Sequence, residues 1–382
     1  ASAGGSGGPW NFILVQFESF RGRDAGFLNP GLRPSPTPFL DSLAAGPNGA
    51  AWSSAFSFGM PTINGILALQ CSLAPHSRLH PLPTFPQLGL LAFPEVLRAS
   101  GWAAEVFTGS DPDWDGQRRW LERWYDRLWF DKWALGDDRT IVRGALPRLR
   151  ELGGAGKPFL ATLTTISNHY PFDSPEPAFS GPRERAAAQL THDSVRFTDD
   201  VLRELVTALA AEPWFARTIL VVTGDHGYNL GEHDRQPGQR NGYDESLRVP
   251  LLIVGNHPGL RRGLHGEPAS LLDVAPTILA LAGLDAVTPW QGRSLLLPPD
   301  PERTVSGAFE GVRFAARGRR FAVRNGPGRA VELFDLVADP EQRVDLAAAE
   351  PGAAAALVRV AEERRALTDY LIEKDLIWPA GR

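Results

Sequence analysis

The sequence contains one cysteine and one methionine among its 382 residues. With Cys71 alone, the chain cannot form an intrachain disulfide, which neither supports nor excludes export to an oxidising compartment. No run of about 18 consecutive apolar residues occurs, so no segment is predicted to span a membrane. The formal net charge is -5, which gives no broad electrostatic basis for nucleic-acid binding, so any phosphate site must be local.

Hydrophobic residues make up 43% of the chain and charged residues 22%, which is ordinary for a soluble globular protein with a large core. The length predicts one large α/β domain with a small appendage, or about two to three smaller units. Residues 1–10 are predicted to form a flexible Gly/Ser leader, and this start is typical of a trimmed or processed fragment. We expect membrane contact only through a missing N-terminal region, and the oligomeric state stays open.

Apolar, strand-like runs alternate with helical segments over residues 11–302. This alternation predicts an α/β fold with a doubly wound, mostly parallel sheet flanked by helices. Short alternating segments at 312–323 and 331–336 predict a small antiparallel sheet, and residues 353–373 predict a charged helix. The domain boundaries are therefore predicted at 11–302 for the main domain and 303–382 for a small C-terminal α+β subdomain.

Residues 219–227 join an apolar strand to a polar end. Ile219-Leu220-Val221-Val222 suits a strand buried on both faces, and Thr223-Gly224-Asp225-His226 follows it. Ligands of open α/β sheets lie just past the carboxyl ends of the strands, so Asp225 and His226 could form a divalent-metal corner. The alternative is that Asp225 caps a helix and His226 is an ordinary loop residue.

Three further polar residues fall at the ends of predicted elements. Glu18 follows the apolar run Asn11–Phe17, where a carboxylate is costly unless paired or bound to a cation; the alternative is a solvated strand end. Thr62 lies at the start of a helical run, either as an N-cap or, beside helix N–H groups, as a nucleophile. His169 follows the strand-like run 159–165 and should emerge at the same edge as Glu18 and Asp225.

Aromatic residues are concentrated between residues 114 and 133. They are Trp114, Trp120, Trp124, Tyr125, Trp129, Phe130 and Trp133. Their spacing is partly helical. Core or subsite packing is favoured over a sugar-stacking platform, because aromatic side chains carry large burial energies wherever they lie.

Short motifs run in order through almost the whole chain. Besides Glu18 and Thr62, they are Thr37-Pro38, Ser167-Asn168-His169-Tyr170-Pro171-Phe172, Gly224-Asp225-His226-Gly227, Gly231-Glu232-His233, and segments 243–250, 273–277, 292–295 and 333–341. Each is weak alone, but their order and spacing resemble the sulfatase branch of the alkaline phosphatase superfamily. Within that branch, the chain is most similar to the lipoteichoic acid synthase and periplasmic phosphoglycerol transferase group.

The chain departs from the patterns of this branch at three places. First-strand sulfatase patterns have paired aspartates, whereas this chain has the single Glu18. Sulfatases carry a Cys or Ser in a Cys-x-Pro-x-Arg type motif that is converted to formylglycine, whereas Thr62 lies in no such motif and Cys71 comes nine residues later. This difference argues against sulfate ester hydrolysis. The Trp-x-Arg substrate element of lipoteichoic acid synthases is not cleanly present, and Trp114 with Arg118 or Arg119 is its nearest equivalent.

The resemblance implies a metal site and a nucleophile. Glu18, Thr62, Asp225 and His226 would hold one divalent cation; Mn²⁺ is favoured, and Mg²⁺ or Zn²⁺ suits the same donors. The cation would lower the pKa of the Thr62 hydroxyl, and Thr62 would attack phosphorus to form a covalent phosphothreonine ester.

The resemblance also implies substrate-binding residues. His169 would contact the substrate phosphate or protonate the leaving alkoxide, and His233 is a second candidate for that protonation. The alternative for each histidine is a hydrogen-bonded structural role. Trp114 and Arg118 would bind the substrate.

The function implied by the resemblance is a metal-dependent phosphotransferase or phosphodiesterase acting on a lipid- or glycan-linked phosphoglycerol. Hydrolysis of other phosphate, phosphonate or sulfate esters at the same site is the first alternative. The second, of another class, is a catalytically silent binding domain. The expected location is the periplasmic or extracellular face of a membrane, and no nucleic-acid partner is expected.

Overall fold

The structure is a computed structural model that describes residues 8–130, 137–172, 187–285 and 288–377. The Pro-rich composition of residues 173–186 predicts an exposed excursion, and this stretch and Trp133 lie outside these ranges. Trp10 belongs to the predicted leader, yet it packs against the core, and its carbonyl oxygen accepts the Trp102 Nε1–H at 2.9 Å. The predicted domain boundaries stay predictions.

A mostly parallel sheet forms the centre of the main domain. Its strands are β1 (Asn11–Phe17), β2 (Gly49–Trp52), β4 (Ala103–Thr108), β5 (Arg127–Phe130), β6 (Phe159–Thr164), β7 (Thr218–Gly224), β8 (Leu251–Val254) and β9 (Gly263–His265). The spatial order is β5-β4-β6-β1-β7-β8-β2-β9. β8 runs antiparallel to both of its neighbours, and the other pairs are parallel. A separate two-stranded pair joins β3 (Ala55–Phe56) to β10 (Ala269–Ser270).

Helices cover both faces of this sheet. They are α1 (Pro38–Ala45), α2 (Thr62–Cys71), α3 (Pro81–Thr84), α4 (Phe93–Ala99), α5 (Gln117–Trp124), α6 (Asp138–Gly154), α7 (Ala187–Ala210), α8 (Asp244–Leu247) and α9 (Val274–Leu281). Side chains alternate across a strand, so Leu14 of β1 enters one core cluster with α2, α4 and α9. Ile13 enters the opposite cluster with α1, α6 and α7. The predicted doubly wound α/β architecture is confirmed.

A second sheet follows the main domain. It contains the antiparallel strands β11 (Thr304–Phe309), β12 (Val312–Arg317), β13 (Arg320–Asn325) and β14 (Glu332–Asp335), and α10 (Pro351–Glu373) packs on it. Ala315 and Ala322 face α10. Phe314 and Phe321 face the main core, where the Phe321 ring stacks on Phe56 at 5.3 Å between centroids. The small C-terminal α+β unit is therefore confirmed, and it is packed directly on the main domain.

Three of the six described members of the aromatic cluster are core residues. Trp120, Trp124 and Tyr125 are buried, and the Trp120 Nε1–H donates to the Leu82 carbonyl at 3.0 Å. Trp114 is 73% exposed and does not share this packing.

The loop that carries His169 is anchored by a buried carboxylate. Asp138, at the start of α6, accepts hydrogen bonds from the backbone N–H groups of Ile166 (2.7 Å) and Ser167 (3.1 Å). Its other oxygen accepts the Thr198 hydroxyl of α7 at 3.4 Å. Burial raises the pKa of Asp138 to about 6, although these hydrogen bonds favour the charged form and act against the shift.

This shift gives a pH-dependent contribution to stability. In the folded chain Asp138 binds its proton at a higher pH than in the unfolded chain, so its contribution to the free energy of unfolding falls as pH rises from about 4 to about 6. The fall amounts to about 3 kcal/mol. Because Asp138→Asn cannot ionise, its stability relative to wild type should rise by that amount between pH 4 and pH 7 in urea unfolding. A pH-independent difference would contradict the assignment.

Candidate active site

The carboxyl ends of three neighbouring strands converge at the site. β1 pairs in parallel with β6 on one side and with β7 on the other. Glu18 therefore leaves β1 beside Thr165, whose hydroxyl accepts the Glu18 N–H at 3.0 Å, and beside Asp225, whose N–H donates to the Phe17 carbonyl at 3.0 Å. The sheet itself brings together residues that are far apart in sequence.

Glu18, Asp225 and His226 form a buried cluster at this edge. One ligand atom from each lies within 4.8 Å of the others, and their exposed fractions are 4%, 0% and 3%. His226 Nε2 lies 3.7 Å from Glu18 Oε1 and 3.6 Å from Asp225 Oδ2. The three side chains predicted as metal ligands on these two strands therefore share one point in space.

Thr62 completes the cluster from the start of α2. Its hydroxyl donates to Glu18 Oε2 at 3.0 Å. Pro61 occupies the N-cap position of α2 and Thr62 is the first helical residue, so the Thr62 hydroxyl does not act as a cap. α2 lies so close to the cluster that a Cβ at Gly65 would be 2.7 Å from the Asp225 carbonyl oxygen. Only glycine, which has no Cβ, permits this approach.

The donor atoms of this cluster fit a divalent cation. Asp225 Oδ1 accepts N–H groups from Ser19 (2.9 Å) and His226 (2.6 Å), whereas Oδ2 is buried and has no hydrogen-bond partner among the described residues. His226 Nδ1 lies 2.7 Å from the Gly227 carbonyl and must donate to it, which leaves the Nε2 lone pair directed at the carboxylates. An orphaned carboxylate oxygen and an imidazole lone pair are suitable metal ligands.

The electrostatics of the cluster agree with this fit. Burial raises the pKa of Asp225 well above its usual range, and the nearby charge of Glu18 raises it further. Burial also lowers the pKa of His226, which favours the neutral imidazole that binds metals. Two carboxylates buried together are costly without a compensating positive charge, and a cation would remove that cost.

Ser19 is a member of the site that the sequence did not reveal. Its hydroxyl donates to Glu18 Oε1 at 2.7 Å, and its backbone adopts φ 49°, a left-handed conformation that is uncommon for serine. The turn lets one residue contact both carboxylates of the cluster, through its hydroxyl and its N–H. Only its position next to Glu18 could have suggested this role.

His169 is exposed, in the loop that follows β6. Its Nδ1 is 2.8 Å from the Tyr170 carbonyl and donates to it, which leaves Nε2 available. The Tyr170 ring stacks at 6.1 Å on Tyr228, two residues after His226. The two loops are therefore in contact, and the catalytic and substrate-binding roles of His169 stay predictions.

His233 has both ring nitrogens engaged. Nδ1 lies 3.1 Å from Glu245 Oε1, and Nε2 lies 3.1 Å from the Glu341 carbonyl and 3.2 Å from that of Gln342. Burial lowers the pKa of His233, but the hydrogen bond and charge of Glu245 outweigh burial, so the net shift is upward. Its ring also stacks on Tyr243 at 3.9 Å. The predicted role in leaving-group protonation would require these contacts to open.

Trp114 and Arg118 are the residues predicted to bind the substrate. The Arg118 guanidinium makes two hydrogen bonds to Asp113, at 2.6 and 2.9 Å. No described contact links either residue to the buried cluster. Gln117, between them in sequence, does line a small polar cavity with Glu18 and Thr62. Their role in substrate binding stays a prediction.

Arg240 is a second residue that the sequence did not reveal. Its positive charge adds to the effect of burial in lowering the pKa of His226, so it lies near the cluster. Its guanidinium pairs with Glu310, in the turn between β11 and β12, and Glu310 also lies 3.7 Å from His80 Nε2. The C-terminal subdomain thus holds a cation near the candidate site. The polar loop that carries Arg240 gave no periodic or motif signal.

Comparison with known proteins identifies relatives of this chain. The family model described as Sulfatase matches residues 10–284. Choline-sulfatase of Rhizobium meliloti (strain 1021) is 35% identical over 165 residues, which cover 40% of this chain and 32% of that protein. Lipoteichoic acid synthase 1 of Bacillus subtilis (strain 168) is 25% identical over 309 residues, which cover 74% of this chain and 47% of that protein.

The chain spans less than half of the length of these two curated relatives. A solved structure of a protein in the alkaline phosphatase superfamily from Vibrio parahaemolyticus superimposes with a TM-score of 0.79 at 20% identity, covering 98% of this chain and 89% of that one. At this identity the match establishes a shared fold. Among the described residues, no helix combines the length and apolar character that crossing a bilayer requires.

Proposed function

We propose that this chain, which belongs to the sulfatase family, is a metal-dependent phosphotransferase or phosphodiesterase that cleaves a phosphoglycerol-type phosphodiester. The observation that carries the proposal is the hydrogen bond from the Thr62 hydroxyl to Glu18 Oε2, at 3.0 Å, beside Asp225 and His226. An alcohol in direct contact with a buried cation site is a suitable nucleophile for phosphorus.

The residue type at the nucleophile position supports phosphorus over sulfur. Thr62 cannot become formylglycine, and Cys71 lies at the opposite end of α2, buried, with burial raising the pKa of its thiol. The alignment with lipoteichoic acid synthase 1 extends over 74% of the chain, against 40% for choline-sulfatase. We therefore favour a phosphoglycerol linked to lipid or glycan as substrate, at the outer face of a membrane.

The proposed reaction uses Thr62 as nucleophile. Glu18, Thr62, Asp225 and His226 would hold the cation, with Mn²⁺ favoured, and when bound it would lower the pKa of the Thr62 hydroxyl and offset phosphoryl charge. The hydrogen bond to Glu18 orients Oγ1. As the hydroxyl proton passes to Glu18 Oε2, Oγ1 forms the new P–O bond and the bond to the leaving alkoxide breaks. The product is a phosphothreonine ester, which water or an acceptor hydroxyl then cleaves.

The side chains of His169 and Arg240 would assist this step. With Nδ1–H donated to the Tyr170 carbonyl, a protonated His169 can donate its Nε2 proton to the leaving alkoxide. Arg240 would attract the negative charge of the substrate phosphate. Both groups lie outside the buried cluster, on loops that a large substrate could reach.

Sulfate-ester hydrolysis is the second candidate, favoured by the 35% identity to choline-sulfatase. Initial rates on bis-p-nitrophenyl phosphate, p-nitrophenyl phosphate and p-nitrophenyl sulfate, with and without Mn²⁺, separate the candidates. We expect the diester to react fastest and only with metal. If the sulfate ester reacts fastest, the second candidate is favoured; if no ester reacts, a catalytically silent binding domain is favoured.

A substitution at His169 tests its role as a general acid. His169→Gln should lower kcat by about 10² to 10⁴-fold for diesters with an alkoxide leaving group, which needs a proton. The same variant should change little for p-nitrophenolate, which leaves unprotonated. His257→Gln, at a half-buried histidine whose ring lies 5.1 Å from that of Trp10 between centroids, is the control and should change neither rate. An equal loss for both leaving groups would contradict proton donation.

A further inference from the structure

A cleft separates the main domain from the C-terminal subdomain, away from the metal cluster. Its volume is about 440 Å³, within the range of small-molecule sites. One wall comes from residues 270–273 and 291–303, and the other from β11, β12 and α10. The Ser72 hydroxyl, just after α2, bonds the Leu272 carbonyl of this wall at 2.6 Å. α2 begins at Thr62, so its ten residues separate the two sites by about 15 Å.

The cleft is lined by four arginines and three acidic residues. Three of the arginines have a carboxylate partner: Arg303 with Asp273 at 2.5 Å, Arg293 with Asp300 at 3.4 Å, and Arg317 with Glu302 at 3.3 Å. These pairs fix the guanidinium groups around the opening and neutralise most of their charge. One positive charge is left over.

That charge belongs to Arg364 of α10. Its Nη1 donates to the Thr304 carbonyl at 2.7 Å and to the Ser306 hydroxyl at 3.3 Å, and no carboxylate of the described ranges forms an ion pair with it. Burial and the nearby charge of Arg303 lower the pKa of Arg364, and the charge of Asp273, which is itself paired with Arg303, acts against this shift. The contacts of Nη1 hold the guanidinium at the wall of the cleft, with its other N–H groups available.

A second, apolar cavity adjoins this one. It measures about 260 Å³ and shares Leu272, Gln291, Ser306 and Arg364 with the first. Beyond Arg364 its walls include Ala74, Ala361 and Leu367. A cationic group therefore lies at the junction of a polar cleft and an apolar one.

We propose that this interdomain cleft binds an organic phosphate or sulfate ester, with the anionic group against Arg364 and an apolar substituent in the adjoining cavity. A planar guanidinium with free N–H groups suits a tetrahedral oxyanion. The apolar cavity gains affinity from a hydrocarbon substituent. This binding site is independent of the reaction proposed at Thr62, so either can fail without the other.

Calorimetric titration of the full chain in Mn²⁺ tests the site. The probes are methylphosphonate and hexylphosphonate, which share a head group and contain no ester bond to cleave. We expect two sites in the wild type, with hexylphosphonate preferred at the cleft by about tenfold or more. Arg364→Gln should weaken the cleft site by about tenfold or more and leave the other site intact. Asp225→Asn should weaken the other site and leave the cleft site intact.

Matched variants separate binding from folding. Arg364→Lys keeps the charge and should retain part of the affinity, whereas Leu367→Ala should reduce only the preference for the hexyl chain. Arg359→Gln, on the same helix but outside the cleft, should bind like wild type. Three results would each overturn the proposal. They are unchanged binding in Arg364→Gln, a single site in wild type that Asp225→Asn removes, and no binding at all. Methylphosphonate binding without any hexyl preference would overturn the assignment of the apolar cavity.

Discussion

Replacing Thr62 by alanine will lower phosphodiester turnover by about 10⁴-fold or more, because the variant has no oxygen to attack phosphorus. Folding should survive. The substitution removes one partly buried hydrogen bond, to Glu18, and costs about 1 kcal/mol of unfolding free energy. Thermal unfolding and kcat measured on the same preparation will show activity lost while the fold is retained.

Two variants make this result specific. Thr62→Ser keeps the hydroxyl and should retain measurable turnover. Thr140→Ala removes a hydroxyl that also donates to a carboxylate, Asp137, in the first turn of a helix, but outside the site. It should keep wild-type activity. Full activity in Thr62→Ala would show that another group attacks phosphorus.

Removal of the divalent cation will have the second largest effect. Chelation should abolish turnover and, from Mn²⁺ at about one hundred times its dissociation constant, lower the unfolding free energy by about 3 kcal/mol. The stability loss arises because Glu18 and Asp225 are then buried together without a compensating charge. Denaturant titrations with and without chelator will measure it.

Asp225→Asn should separate the two consequences of metal loss. Without metal, the variant should be at least as stable as wild type, since it no longer buries two like charges, and Asn Oδ1 can still accept the Ser19 and His226 N–H groups. With metal, its turnover should be lower than that of wild type by about 10³-fold or more, and the metal should not raise its free energy of unfolding. The exposed control Glu122→Gln should respond to metal like wild type. A metal-stabilised Asp225→Asn would contradict the ligand assignment.

The architecture could be predicted from the sequence because the patterns that indicate it are local and repeated. Uninterrupted apolar runs such as Ile219–Val222 predict strands covered on both faces, and strands that alternate with helices predict a doubly wound sheet. The antiparallel direction of β8 was not readable, since a buried run has the same composition in either direction. The family resemblance is confirmed by the Sulfatase match over residues 10–284.

The candidate site was only partly readable. Asp225 and Glu18 could be paired because parallel strands bring their carboxyl ends to one edge. The structure also decides between alternatives that the residues left open: Thr62 does not cap its helix, and Asp225 accepts N–H groups from Ser19 and His226 in place of capping one. Each choice depends on where a side chain points, which residue type alone does not encode.

Other members of the site could not be predicted from the sequence, for a different reason. Ser19 contributes through an uncommon backbone conformation, and Arg240 through a long loop that the C-terminal turn at Glu310 holds in place. Neither has a periodic signal. The engagement of His233 Nε2 depends on carbonyls more than a hundred residues away, at Glu341 and Gln342, so it could not be inferred from the motif around it.

The most direct measurement is mass spectrometry of the chain after brief reaction with a phosphoglycerol diester and acid quench. If Thr62 is the nucleophile, we expect one phosphoryl-containing adduct, on the peptide that contains Thr62. It should form only with divalent metal and should be absent from Thr62→Ala. An adduct on another residue would contradict the assignment of Thr62 as the nucleophile. A complete single turnover in which no adduct is detected at any time would also contradict it.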